Sequence, residues 1–473
     1  MIVRFAVVCA VVGLALTGAA ETPLIRFGVA SDVHVLKDWS DRFTPGLVNQ
    51  ERYLEKALRW FDAEGADAVL FPGDMCHGGR VSELQAFAAI WDKVFPDGKG
   101  SDGRRVERLA VTGNHEIGQW GGLWDGISDE ELRRVRLDYD LAHLKANWKR
   151  VMGEEFAPVW KREVKGITFI GVHYSALNPD IGGFFRAHAA ELDPDKPFFV
   201  FQHRSPAFTC QGRGYGPEEA LLTKLLSPHP NAVAITGHTH YSLADDRNVW
   251  QGAFTAIDAG CACAAEPSYA DMTFENGGAS YTWEYRKQRM RCLSQCGNEG
   301  RGCIMVTVYA DRLEIRRRSL EFDEPLGPDW RVPLPAAPGG PFDYGVCARK
   351  IPAPQFAAGA KVAIEICKAD PGNVGPGLKG KPCLRVTFPY AGAVEGSRTF
   401  AYDVQAFAGG REVFASRVLS YGYHLPERRS HVPGECILAL ADLPKGEDIV
   451  FAVRPLGVYR QPGAAILSAP IRL

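Results

Sequence analysis

Long apolar runs are almost absent from this 473-residue chain, and so is any excess of charge of one sign. The 54 Lys and Arg stand against 56 Asp and Glu, a formal net charge of -2. So even a balance excludes a general attraction to nucleic acid or anionic membrane, while leaving a local cationic pocket open. The one long apolar run, Phe5 to Leu16, falls short of the ~20 residues that a spanning helix needs. It follows Arg4 and precedes Thr17, Gly18, Ala19 and Ala20. Residues 1–20 therefore read as an export signal cleaved before Glu21, with an uncleaved N-terminal anchor as the alternative. No later segment is long and apolar enough to span a membrane, so the mature chain is expected to be secreted or periplasmic. Clear repeats and low-complexity tracts are also lacking.

Cysteine is not scarce. Twelve occur, and eleven remain once Cys9 leaves with the signal. Cys261, Cys263, Cys292, Cys296 and Cys303 crowd one segment, where an oxidising compartment favours disulfides. A structural zinc site is the competing reading, and the two-residue step from Cys261 to Cys263 fits the common zinc spacings poorly. The odd total implies at least one free thiol.

The length exceeds a single core, so two domains are expected. From Leu24 to about Ser319, short apolar runs alternate with helix-like stretches, the mark of a layered α/β domain. Leu24 to Ala30, Ala68 to Phe71, Leu109 to Thr112, Ile167 to Val172, Phe198 to Phe201 and Ala232 to Thr236 read as strands. Cys303 to Tyr309 and Leu313 to Ile315 add two more. Thr44 and Pro45 suggest a helix start, with Tyr53, Leu54, Ala57, Leu58 and Phe61 at helical spacing. Val81 to Val94 and Glu218 to Leu226 read as further helices. Gly118 to Arg150 and the Cys-rich stretch 241–302 interrupt the rhythm. The second reads as a stapled surface flap, with its aromatics as a less favoured substrate platform. Pro333, Pro335, Pro338, Gly339, Gly340 and Pro341 mark a linker over 331–341. Residues 342–473 show only strand-like segments and suggest an all-β sandwich of the immunoglobulin or fibronectin kind. The catalytic domain is thus expected over 21–330.

Five short segments carry chemistry. Asp32-Val33-His34, Gly73-Asp74, Gly113-Asn114-His115-Glu116, His203 and Gly237-His238-Thr239-His240 each lie just past an apolar strand. In an open α/β sheet such ends converge on one crevice. Singly, each segment has a plain explanation as a turn, a cap or a hydrogen-bonded histidine. Jointly they gather five of the twelve histidines, and that points to a site. Carboxylates, imidazoles and one amide oxygen suit divalent Mn, Fe or Zn without demanding a soft ion. Asp32, His34, Asp74, Asn114, His203, His238 and His240 exceed what one ion needs. Two ions sharing a bridging carboxylate would use them all, the standard device for displacement at phosphorus.

These segments resemble the calcineurin-like metallophosphoesterase family over about Leu24 to Ser319. The resemblance implies a four-layer αββα sandwich around a di-metal centre. Asp32, His34 and His240 would hold one ion, Asn114, His203 and His238 the other, and Asp74 would bridge. His115 would not ligate, but would donate a proton to the leaving oxygen or stabilise charge there. Glu116 would complete the motif in an orienting or structural role. Family members often carry Asp, or Tyr in the purple acid phosphatases, three residues after the bridging Asp. His77 stands there instead, which argues against a tyrosinate-ferric site and leaves it a ligand-orienting group or a loop residue. Arg204, His173 and His77 are candidate substrate contacts, the first two with a surface ion pair and edge packing as their alternatives. Cys76 and Cys210 are a candidate disulfide. The expected activity is hydrolysis of a small-molecule or envelope phosphomono- or phosphodiester by metal-bound hydroxide. The rival is an exported binding or adhesion protein whose ions only stabilise it. The sequence specifies no protein partner for the β domain.

Overall fold

Alternation along the central strands decides how the layers stack. Phe199 and Phe201 join one apolar cluster, while Phe198 and Val200, on the opposite face, join another. Ala68 and Leu70 likewise enter the shared cluster, and Val69 and Phe71 a third. The shared cluster lies between two six-stranded sheets, and the other two lie beneath helices on the outer faces. The result is helix, sheet, sheet, helix, the arrangement expected from the resemblance. The computed structural model describes residues 21–36, 50–116, 141–174, 180–210, 217–263, 272–273, 278–279, 299–368, 378 and 380–473.

The first sheet runs in the order Trp330–Pro333, Arg312–Ser319, Gly302–Val308, Ile25–Val29, Ala68–Phe71 and Glu107–Ala110. Its last three strands are parallel. The helices Gln50–Ala63 and Val81–Val94 cover it, with Leu54, Leu58, Phe61, Phe87 and Trp91 turned inward. The second sheet runs Val159–Val164, Ile167–Val172, Phe198–Phe201, Ala232–Thr236, Thr255–Asp258 and Val249–Gln251. Its four central strands are parallel. The helices Ile181–His188 and Pro217–Leu226 cover its outer face. Val159–Val164, Thr255–Asp258 and Val249–Gln251 were not expected from sequence. The last two turn the start of the Cys-rich stretch into sheet rather than flap. Cys292, Cys296, Thr44, Pro45 and most of Gly118 to Arg150 lie outside the described residues.

Trp330–Pro333 closes the first sheet at the threshold of the Pro- and Gly-rich segment. Beyond it comes a helix not foreseen, Tyr344–Lys350, whose start is capped by Asp343 accepting from the Val346 amide. The rest is an all-β sandwich. Ala363–Lys368, Pro382–Phe388 and Gly434–Ala439 form one sheet. Arg411–Leu419, Thr399–Ala408 and Asp448–Gly457 form the other, with two short strands after residue 465. Leu384, Val386 and Leu438 of the first pack against Tyr402, Val404 and Phe451 of the second. This sandwich docks on the stretch that follows the Gly-His-Thr-His segment. Arg398 reaches the carbonyls of Ala244, Tyr423 and Leu425, and Ser242 donates to the His424 carbonyl.

No cysteine pair is bonded among the described residues. The proposed Cys76–Cys210 disulfide is corrected by the layering. Cys76 packs under the helices of the first sheet, whereas Cys210 packs under those of the second and donates to the Asn248 carbonyl. No helix among the described residues is long and apolar enough to cross a membrane.

Candidate active site

Each motif sits where a parallel strand ends. The chain leaves Ile25–Val29, Ala68–Phe71 and Glu107–Ala110 into the segments bearing Asp32, Asp74 and Asn114. It leaves Phe198–Phe201 and Ala232–Thr236 into those bearing His203, His238 and His240. The loops are zipped together by their backbones. The Asp32 amide donates to the Gly73 carbonyl at 3.2 Å, the His34 amide to Asp74 at 2.9 Å and the Val35 amide to Met75 at 2.8 Å. Asp32, His34, Asp74, His238 and His240 all adopt left-handed backbone, with φ of 50, 50, 53, 72 and 56°. Each costs roughly 1–3 kcal/mol, so the strain is concentrated where the side chains must converge.

Two glycines explain part of the motif spelling. A Cβ at Gly113 would lie 2.1 Å from Asp74 Oδ1, and one at Gly237 would lie 1.9 Å from Ser31 Oγ. Only a residue without a side chain lets these loops close. Glu116 ties two of them together. Its buried carboxylate accepts from the amides of Gly113 at 2.6 Å, Asp74 at 3.0 Å and Cys76 at 2.8 Å. Burial and the nearby Asp74 charge push Glu116 up to about 8. Its role is therefore orientation of the bridging loop, which spacing alone left undecided.

Among the described residues, four groups of donor atoms could hold an ion, two of them built on His34 with His77 and His115 or with His240 and Cys263, and the other two share Asp74. Asp32, His34, Asp74 and His240 offer atoms all within 4.8 Å of one another, and so do Asp74, His203 and His238. His34 Nε2 is 3.2 Å from His240 Nε2, and Asp32 Oδ1 is 3.1 Å from the same His240 atom. On the other side His203 Nε2 is 3.0 Å from Asn114 Oδ1 and 3.1 Å from His238 Nδ1. Asp74 Oδ2 stands between them, 3.0 Å from His203 Nε2 and 3.8 Å from His34 Nε2. Asp74 Oδ1 is held by the His115 amide at 2.9 Å. Ligands about 2.1 Å from one ion stand about 3 Å apart, so these separations suit two cations. Asp32 Oδ1 is buried and takes no hydrogen bond among the described residues, an orphan that a cation would satisfy. All seven ligands expected from sequence are brought together.

Electrostatics agree. Burial alone would lower His203, but the Asp74 carboxylate outweighs it and raises the imidazole to about 9. Burial and the His203 charge drive His238 down to about 3. Asp74 is held well below its ordinary range: burial opposes ionisation, but His203, His115 and His34 override it. Protons thus occupy part of the room that cations would fill. His203 Nδ1 faces the Pro72 carbonyl at 3.1 Å, which fixes the tautomer that turns Nε2 to the centre.

The remaining candidates separate. His115 Nδ1 donates to the His77 carbonyl, which leaves Nε2 3.9 Å from Asp74 Oδ2, outside the ligand set but facing the centre. His77 is buried, with Nδ1 3.4 Å from His34 Nδ1, and therefore sits behind a ligand rather than in the opening. His173 packs against Trp148 and Phe156, accepts the Thr112 amide at 3.0 Å, and lines the cleft that Arg204 and His203 also line. Arg204 lies over the Tyr174 ring, 3.5 Å from Glu219, and lines a small cleft beside His203. Sequence reasoning missed Cys263, whose Sγ is 3.9 Å from His240 Nδ1. No spacing signal could have found it, because Cys-x-Cys says nothing of what it faces.

A shared carboxylate between two imidazole-rich groups defines a candidate di-metal hydrolase centre. Residues 25–242 match the family model of the calcineurin-like phosphoesterases, so this segment is a domain of that family. No curated protein matches the chain. Among solved structures, a dimetal phosphatase from Danio rerio is 11% identical with a TM-score of 0.37, covering 66% of this chain and 99% of the other. A purple acid phosphatase from yellow lupin seeds is 14% identical with a TM-score of 0.37, covering 64% and 52%. Likenesses this distant carry no argument, and the reading rests on the family match and the side chains.

Proposed function

We propose that the chain is an exported phosphoesterase that hydrolyses a phosphomono- or phosphodiester at a centre of two divalent ions. The observation that carries this is Asp74 Oδ2, which faces both imidazole groups at once. Asp32, His34 and His240 would hold one ion, Asn114, His203 and His238 the other, with Asp74 shared; the orphaned Asp32 Oδ1 supports the fit. When bound, such ions supply Lewis acidity and a water of lowered pKa. The protein's own groups do the rest. His115 presents Nε2 to the leaving oxygen, its ring fixed from behind by the His77 carbonyl. Burial holds His115 below the ordinary imidazole range, so its proton-donating form gains toward acid pH. Glu116 keeps the bridging loop in place. Arg204, braced by Tyr174 and Glu219, offers a cation to a phosphoryl oxygen at the mouth of the cleft. Export rests on the first twenty residues. We read the all-β domain as an immunoglobulin- or fibronectin-like module because two antiparallel sheets pack face to face in it.

The test is p-nitrophenyl phosphate against bis-p-nitrophenyl phosphate with added Mn²⁺, using wild type, Asn114→Ala and His115→Ala. Turnover of one ester, lost in Asn114→Ala and lowered less in His115→Ala, whose role is protonation of the leaving oxygen, supports the reading. If wild type loaded with two ions cleaves neither these esters nor an alkyl phosphate, the centre is structural and the chain is a binding protein.

A further inference from the structure

His240 uses both edges of its ring. Nε2 faces Asp32 Oδ1 at 3.1 Å and His34 Nε2 at 3.2 Å, whereas Nδ1 faces Cys263 Sγ at 3.9 Å. Cys263 Sγ in turn lies 3.6 Å from Cys261 Sγ. The two sulfurs are buried, and their backbone is held on both sides. The Ala262 amide donates to the Ser31 carbonyl at 2.9 Å, next to Asp32, and the Gly302 amide donates to the Cys261 carbonyl at 2.9 Å. A thiol pair is thus anchored to the same segment as one proposed ligand and in contact with another.

We propose that Cys261 and Cys263 form a redox-sensitive pair that positions His240, and that joining them in a disulfide reversibly weakens the ion position built on Asp32, His34 and His240. The inference rests on reading His240 as a metal ligand. Contact of Nδ1 with the Cys263 sulfur holds the ring with Nε2 turned to Asp32 and His34, so Cys263 is a positioning residue. Groups behind a metal-binding histidine commonly change metal affinity by roughly tenfold to a hundredfold. The Sγ–Sγ gap of 3.6 Å would close to the ~2.05 Å of a disulfide, which draws Cys263 Sγ toward Cys261. The step balances with a small-molecule disulfide as oxidant. Both thiols lose their protons, one S–S bond forms between Cys261 and Cys263, the oxidant's S–S bond breaks, and two thiols leave.

The experiment is calorimetric titration with Mn²⁺ on full-length protein, reduced and after exposure to oxidised glutathione, with disulfides mapped by mass spectrometry. Expected are a Cys261–Cys263 bond and one of two binding steps weakened at least tenfold, both reversed by reduction. Cys261→Ser should abolish the response to oxidant. The proposal is overturned if the bond never forms, if it forms and both steps stay within twofold, or if Cys261→Ser still responds. Reduced wild type that binds no Mn²⁺ sinks it together with the phosphoesterase reading. A redox-dependent Mn²⁺ step in a protein that cleaves no phosphoester sinks that reading alone.

Discussion

Lowering pH should expel the ion held by His203, with a slope fixed by one proton. Asp74 raises this imidazole to about 9, whereas His238 beside it stays neutral down to about 3. A cation needs the lone pair on His203 Nε2, so below pH 9 it must displace a proton there. Affinity should then fall about tenfold for each unit of pH, or about 1.4 kcal/mol. From pH 9 to pH 7 the loss is about a hundredfold, or about 2.7 kcal/mol. The assay is Mn²⁺ titration by calorimetry at several pH values, in buffers of different ionisation enthalpy. At pH 7 at least one proton should be released as the ions bind, His240, which is also raised, adding to the release, and the share from His203 should fade above pH 9. A pH-independent affinity with no proton release would refute the argument, because His203 would then already be neutral.

Three other outcomes follow from particular contacts. Gly113→Ala would drive a Cβ to 2.1 Å from Asp74 Oδ1, so it should lower metal content well below wild type while the domain stays folded, read by plasma mass spectrometry and circular dichroism. His115→Ala should keep its ions yet lose roughly 10²–10⁴ in kcat on alkyl phosphates, and much less on p-nitrophenyl phosphate, whose leaving group needs little protonation. Burial drives His173 down to about 3, so it stays neutral in the fold while an unfolded histidine takes a proton below about 6.5. Its contribution should therefore lower stability as pH falls from 6.5 toward 3, by up to about 1.4 kcal/mol per unit, and His173→Gln should flatten that slope in urea denaturation.

What could be read in the sequence was what local pattern encodes. Phe198–Phe201 is short and wholly apolar and Ala232–Thr236 nearly so, as strands buried on both faces must be, and the histidines just beyond them reach the site. Val159–Val164 escaped because an edge strand carries the mixed run VWKREV with little burial. Val249–Gln251 and Thr255–Asp258 escaped because runs of three and four residues inside a polar stretch give no period. His173 and His203 stood in equivalent places past their strands, yet one is packed against aromatics and the other faces Asp74. That difference is made by Trp148 and Phe156, distant in sequence. The same holds for Glu116, whose role lies in amides from two loops, and for Cys76 and Cys210, which opposite layers keep apart.

The shortest route to the centre is the metal content of protein loaded with Mn²⁺ and freed of excess, comparing wild type with Asp74→Asn. Two ions per chain in wild type and fewer than one in the variant are predicted, because Asp74 Oδ2 serves both groups. Wild type without bound ions, or Asp74→Asn that retains two, would contradict a shared carboxylate at the heart of this domain.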